Sequence, residues 1–193
     1  MVTSGESFSC GLEVAPLHAD CDPSSERVTE ALLGEPLTVE ERRDGWARVK
    51  TAYDYPGWVV LEALSPAAPS GWLPELQDGD PVAEARAYLG TPYLWGGMSE
   101  RGIDCSGLVH MAYRRLGRLV PRDADQQEDA AEPVTDPRFG DLVTYGAEFA
   151  THIAFWLGDG RILHAPGGRT VVEELEPVKL RRRRRQFVRL PLV

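Results

Sequence analysis

Basic charge is in short supply: 21 lysine and arginine residues stand against 30 aspartates and glutamates, and the formal net charge at pH 7 is -9 with histidine neutral. That balance disfavours sequence-independent binding to nucleic acid or to an anionic lipid surface, since both need a basic face. Long apolar runs are also lacking. Nothing approaches the roughly 18 to 20 apolar residues of a membrane-spanning helix, and residues 1–12 have neither the basic start nor the apolar stretch of a secretory leader. These absences lead to the expectation of a soluble, cytoplasmic protein whose partner is a small solute or a peptide, with neither nucleic acid nor membrane involved. Cysteine is scarce and odd in number. Cys10, Cys21 and Cys105 are spaced too irregularly for a disulfide framework, so at least one thiol is expected to stay free. No internal repeat occurs, and nothing points to a particular oligomeric state.

What is present is ordinary globular material: 42% of 193 residues are hydrophobic, enough for one large core or two small ones. Short apolar stretches at residues 14–17, 28–33, 36–39, 46–49 and 58–61, broken by turn residues, predict a small all-β barrel over residues 1–68. The run Ser65-Pro66-Ala67-Ala68-Pro69-Ser70-Gly71 continues neither a ladder nor a helix, and a second domain is expected over residues 69–193. Asp80-Pro81 reads as a helix start, with Val82, Ala85 and Leu89 as an inner face and Gly90 as the stop. Leu108, Ala112 and Leu116 repeat at helical spacing, predicting a helix over 105–116 with Gly117 as a left-handed cap. After an acidic loop, strands are expected at 141–145, 151–157, 161–164, 170–174 and 187–190. Helices followed by an antiparallel sheet make an α+β domain. The arginine run at 181–185 is read as a solvated loop or strand edge beside Glu173, Glu174 and Glu176.

Chemistry concentrates around Cys105. A thiol attacks a carbonyl efficiently as thiolate, which an unperturbed pKa of about 8.5 leaves scarce at neutral pH. The positive end of a helix beginning at Cys105 favours the anion, and a histidine at hydrogen-bonding distance completes the activation. Asp104, just before it, caps the helix or meets a substrate cation; Ser106 and Gly107 leave room for approach. The candidate base is His152, in Thr151-His152-Ile153-Ala154-Phe155-Trp156-Leu157, followed by Gly158-Asp159-Gly160 and Arg161-Ile162-Leu163-His164. Read as a hairpin with a three-residue loop, the segment has Leu157 facing Arg161 and both histidines on one side. A two-residue loop separates them unless a bulge intervenes. A buried cysteine and a strand histidine are also ordinary core residues, and spacing alone leaves both readings open. Cys10 and Cys21, with His18 between them, fall short of a zinc signature and read as core thiols, so no metal is expected. His110, within the second helix, reads as structural.

Tyr93-Leu94-Trp95-Gly96-Gly97, Gly102-Ile103-Asp104-Cys105-Ser106-Gly107-Leu108-Val109, Pro121-Arg122-Asp123-Ala124, Gly140-Asp141-Leu142-Val143 and Thr151-His152-Ile153 through His164-Ala165 resemble, in order and over about residues 80–175, the NlpC family of papain-like cell-wall peptidases. The resemblance implies a papain-like α+β catalytic domain preceded by an SH3-like barrel, with Cys105 as nucleophile, His152 as base and His164 as the polar third residue. Leu89-Gly90-Thr91-Pro92-Tyr93 and Arg122-Asp123-Ala124 further resemble the γ-D-glutamyl-L-diamino acid endopeptidases that carry N-terminal bacterial SH3-like domains and release L-Ala-γ-D-Glu from murein peptides.

That narrower likeness implies recognition of a free N-terminal amine by Asp104 and Tyr93, to which Glu30 and Tyr55 are added from the first domain, because an ammonium near a cleft needs a carboxylate. Ser106, Arg122 and Asp123 are candidate partners of the D-glutamate carboxylate, since a guanidinium grips a carboxylate bidentately. The plain alternative is an Arg122–Asp123 salt bridge. Trp95 is a candidate for lining the cleft. Relatives often carry serine where Ala124 stands, which removes one contact to the γ-D-glutamyl group. No metal or cofactor is implied, and the lack of a leader points to turnover of murein-derived peptides inside the cell. Two rival readings are an amidase or acyltransferase on the same Cys–His fold, and a non-catalytic module that binds a wall peptide.

Overall fold

Strands form in the N-terminal part where apolar residues alternate between turn residues, and the computed structural model of the chain describes residues 5–191. Two compact units result: one holds the chain up to residue 74 together with 95–99, the other residues 75–94 and from 100 onward.

The first unit is a seven-stranded antiparallel sheet of β1 (Glu6–Cys10), β2 (Val14–His18), β3 (Arg27–Leu32), β4 (Pro36–Arg43), β5 (Trp46–Thr51), β6 (Pro56–Val60) and β7 (Leu64–Ser65). The order is β3-β2-β6-β5-β4-β1-β7. The β4–β5 hairpin pairs Arg43 with Trp46 across Asp44-Gly45, both at positive φ, the two-residue turn that matches strand twist. Leu17, Leu37, Val49 and Val59 are fully buried and fill the core. Each contributes roughly 1.5–3 kcal/mol of transfer free energy. β1 escapes a reading by sequence pattern because Glu6-Ser7-Phe8-Ser9-Cys10 carries little apolar surface. The proline-rich run after the barrel packs back on this unit: Ser9 Oγ donates to the Ala67 carbonyl at 2.9 Å. Gly34, at φ 79°, lies so close to the Ser70 carbonyl that a Cβ there would collide. The short strand β8 (Met98–Ser99) also belongs here, its Met98 N–H donating to Glu30 Oε2 at 2.9 Å. Cys10 is buried, as expected of a core thiol, but Cys21 is not: it is partly exposed and accepts from Arg43 Nε at 3.2 Å.

In the second unit α1 (Pro81–Arg86) starts where Asp80 accepts from the Val82 N–H at 2.9 Å. Next come β9 (Gly102–Ile103), α2 (Cys105–Arg114), α3 (Ala124–Asp129), β10 (Glu132–Val134), β11 (Leu142–Gly146), β12 (Ala150–Gly158), β13 (Arg161–His164), β14 (Val172–Leu175), α4 (Val178–Arg181) and β15 (Arg184–Arg189). The antiparallel sheet runs β10-β15-β11-β12-β13-β14. Helices α1–α3 precede the antiparallel sheet, with the short α4 before its last strand, so the unit is α+β. α2 lies on β12 through Tyr113, stacked on Phe155 with ring centroids 6.5 Å apart. The acidic loop holds a helix the sequence pattern does not announce, α3, started by a capping box between Asp123 and Gln126 and too short to show periodicity.

Much of the arginine run is paired rather than only solvated. Arg184 pairs with Glu176, which also accepts from the Tyr145 hydroxyl. Arg185 reaches Glu128 at 2.9 Å, while Arg181, Arg182 and Arg183 are exposed. The Gly140-Asp141 motif is a corner: Asp141 accepts from the Arg138 N–H at 2.7 Å and pairs with Arg189 at 2.6 Å. No helix among the described residues is long and apolar enough to cross a membrane.

Candidate active site

Cys105 is the first residue of α2, and Asp104 is its N-cap. Asp104 Oδ1 accepts from the Gly107 N–H at 2.7 Å, which satisfies a helix-start donor with no partner inside the helix. The same carboxylate is gripped by Arg122, with NH1 to Oδ1 at 3.0 Å and NH2 to Oδ2 at 2.7 Å. Arg122 NH1 also donates to Ser106 Oγ at 3.0 Å. The Arg122 side chain is 1% exposed and that of Asp104 7%. Arg122 thus forms a buried pair with Asp104, 18 positions away, while Asp123 caps α3. Arg122 reaches the site through Asp104 and Ser106. Gln127, which sequence reasoning misses, locks the same corner by donating to the Ser106 carbonyl at 3.0 Å and the Pro121 carbonyl at 2.8 Å.

Tyr93 is held by its backbone, donating N–H to the Arg169 carbonyl at 2.8 Å and bridging to Ile103. Burial raises its phenol pKa, and the neighbouring Cys105 and Asp104 raise it further.

The two histidines come together through a bulge. Phe155 pairs with Leu163 and Trp156 with Ile162, but Gly158 pairs with Arg161, so the register shifts at Leu157. The loop is thus the two-residue Asp159-Gly160 turn, not the three-residue one expected, and the extra residue restores the shared face. His152 Nε2 lies 2.8 Å from His164 Nδ1. On the other side of His152, the Tyr145 ring packs at 5.7 Å between centroids. His164 Nε2 lies 3.0 Å from Glu174 Oε1, and Arg169 holds that carboxylate with bonds of 2.9 and 3.1 Å. Glu174 is the site neighbour that the sequence reading passes over. Its signal is there: it is even-numbered, like His164, on the next strand.

The electrostatics correct one expectation. Burial pushes the Cys105 thiol up to about 12, Asp104 adds to this, and the Ile153 and Ser106 backbone N–H groups pull only partly the other way. Burial, with His164 beside it, holds His152 down to about 3. Burial thus favours the neutral form of both groups and works against the helix terminus at the sulfur.

Those shifts set a pH dependence of stability. His110 is also held down to about 3 by burial, and His164 is lowered, against an ordinary value of 6.5. Below that value the unfolded chain binds protons that the folded chain refuses, so unfolding free energy falls as pH drops from about 6.5 toward 3. The thermal midpoint is expected to decline already between pH 7 and 5, above the carboxylate range. A flat profile across that window would contradict the burial of these imidazoles.

Of the residues singled out from sequence, the structure gathers Tyr93, Asp104, Cys105, Ser106 and Arg122 around the start of α2, and sets His152 against His164 in the sheet. The backbone N–H of Ile153, the neighbour of His152 in sequence, is among the groups that pull the Cys105 thiol down. Glu30, Tyr55 and Trp95 lie in the first unit. There Glu30 is 4% exposed, with its Oε1 on Arg27 at 3.1 Å, Tyr55 is half-buried near Tyr53, and Trp95, 58% exposed, donates Nε1–H to Glu26 at 2.7 Å. Among the described residues no group of three or more His, Cys, Asp or Glu side chains could hold a metal ion.

Residues 90–189 match the NlpC/P60 family, and residues 17–64 match the bacterial dipeptidyl-peptidase SH3 domain. The chain is 37% identical over 93 residues to a γ-D-glutamyl-L-lysine dipeptidyl-peptidase of Bacillus subtilis, covering 45% of this chain and 31% of that protein. It is 35% identical over 101 residues to the peptidoglycan endopeptidase RipB of Mycobacterium tuberculosis, covering 45% and 42%. It thus spans less than half the length of either relative. A solved NlpC/P60 family protein from Bacillus cereus shares the fold at a TM-score of 0.57 and 24% identity, over 96% of this chain and 64% of that one.

Proposed function

Because the chain belongs to the NlpC/P60 family, we propose that it is a cysteine endopeptidase hydrolysing the γ-D-glutamyl-L-diamino acid bond of murein peptides that begin with a free L-Ala. The observation that carries the reading is His152, bonded through Nε2 to His164 at 2.8 Å and adjacent in sequence to Ile153, whose backbone N–H counters the upward push on the Cys105 thiol. With Nε2 engaged, Nδ1 is the nitrogen for the thiol.

Because burial favours the neutral forms of Cys105 and His152, proton transfer accompanies attack in this reading. His152 takes the Sγ proton as sulfur attacks the γ-glutamyl carbonyl, so charge appears only on the way to the tetrahedral intermediate. The Cys105 backbone N–H, at the start of α2, faces the developing oxyanion. His152 then returns the proton to the leaving amine, leaving a thioester. Water gives a proton to His152 and hydroxide to the acyl carbon, and the carboxylic acid leaves as the thiol is restored.

Asp104 and Tyr93, both beside Cys105, are proposed to receive the substrate ammonium. Peptides L-Ala-γ-D-Glu-L-diamino acid with free and acetylated N-termini, assayed by mass spectrometry, test this. The free peptide is expected to be cut after D-Glu, and the acetylated one about 100-fold more slowly, the scale of losing a charged contact that the site is built to receive. Equal cleavage would remove the amine preference and favour the endopeptidase reading that the likeness to RipB supports. No cleavage of either would overturn the proposal.

A further inference from the structure

His164 is held between two partners, with Nδ1 at 2.8 Å from His152 Nε2 and Nε2 at 3.0 Å from Glu174 Oε1. The three groups sit on the neighbouring strands β12, β13 and β14, where Ile162 pairs with Glu174 and His164 with Val172. Even-numbered residues of β13 and β14 therefore share one face, which puts Glu174 within reach of His164. An ionised carboxylate only accepts hydrogen bonds, and Glu174, a glutamate bonded twice by Arg169, is ionised at neutral pH as glutamates ordinarily are. Nε2 of His164 must then carry the proton. A neutral imidazole has one N–H, so His164 Nδ1 is a lone pair, and the hydrogen in the contact at 2.8 Å comes from His152 Nε2. That leaves the lone pair of His152 on Nδ1.

From this geometry we infer that Glu174 is a positioning residue: through His164 its carboxylate sets the tautomers of both histidines in series and leaves His152 Nδ1 as the proton acceptor. The use of that acceptor against Cys105 rests on the endopeptidase reading above; the tautomer order itself does not. Without the carboxylate, His164 is free to protonate on Nδ1 and donate to His152 Nε2, which drives the His152 proton onto Nδ1 and removes the base. Around the chain of bonds, Tyr145 faces His152 and only Arg169 pairs with Glu174 besides His164 among the described residues. The adjacent Glu173 is turned to Arg86 and Arg161.

The test is the tautomer pattern of the histidine side chains by 15N–1H correlation spectroscopy of the full chain, with kcat and KM measured beside it. Wild type should show Nε2–H at both His152 and His164. Glu174→Gln, isosteric and on an edge strand, should mix the tautomers and lower kcat about 10- to 100-fold, the usual range for a partner acting through another residue, with KM within about twofold. Arg169→Met removes the ion pair but keeps the carboxylate, and should leave the tautomers unchanged, which separates this role from a structural one. Nδ1–H on His152 in wild type would overturn the inference, as would unchanged tautomers and kcat in Glu174→Gln. If wild type shows the expected tautomers but cleaves no peptide, the endopeptidase reading falls and the part played by Glu174 stands.

Discussion

Cys105→Ala is expected to lower kcat by about 10⁴- to 10⁶-fold, the scale seen when the nucleophile of a catalytic set is removed, while the protein stays folded. Alanine is the strongest helix former, and it enters at the first position of α2, where Asp104 capping onto the Gly107 N–H is untouched. The loss of a single sulfur from a residue 7% exposed leaves a void too small to cost more than about 1 kcal/mol. Activity and stability therefore separate in this variant. Because nucleophile and base act as one unit, adding His152→Ala to Cys105→Ala should reduce activity little further. Hydrolysis kinetics with thermal unfolding of the same samples check both statements. Retention of more than about 1% of kcat would exclude Cys105 as nucleophile.

The second large effect is on stability. Arg122→Met is expected to cost about 3–5 kcal/mol, because it strands the Asp104 carboxylate in a site where that side chain is 7% exposed and loses donors at 3.0 and 2.7 Å. Against a total stability of roughly 5–15 kcal/mol that is a large fraction. Methionine fills much of the arginine volume, so most of the loss is electrostatic rather than a cavity. Arg122 also opposes the upward push on the Cys105 thiol, so its loss drives that pKa further from neutrality. Pairing it with Asp104→Asn should recover part of the stability, since no charge is then stranded, and a double-mutant cycle by urea unfolding measures the coupling. A cost below about 1 kcal/mol for Arg122→Met would mean that water reaches Asp104.

Several site residues are legible in the amino-acid sequence itself. Asp80-Pro81 and Asp104-Cys105 are helix starts whose capping chemistry is local, and both helices begin there. The alternation in Thr151-His152-Ile153-Ala154-Phe155 places His152 on a strand, and equal parity suggests His164 as its partner. Arg122 stands out in its motif, but its partner does not: a guanidinium next to Asp123 in sequence reaches Asp104 at the other end of α2. Asp123 is absorbed by the cap of α3, a six-residue helix too short to announce itself. Cys21 looks like a core thiol by composition and stands partly exposed beside Arg43, because it lies in the loop between β2 and β3 rather than on a core-facing strand position.

The sequence by itself determined what is carried within a few neighbouring residues: the strand and helix periods, the caps at Asp80 and Asp104, and the cysteine at a helix start. Only the tertiary structure decided who pairs with whom. Whether His152 and His164 face each other depended on one bulged residue at Leu157, since a shift of one position turns every side chain of a strand to its other face. The Asp104–Arg122 pair and the Glu174–His164 bond were set in the same way. A charged side chain removed from water takes the partner that packing brings within about 3 Å, and packing is a property of the whole sheet rather than of any segment of it.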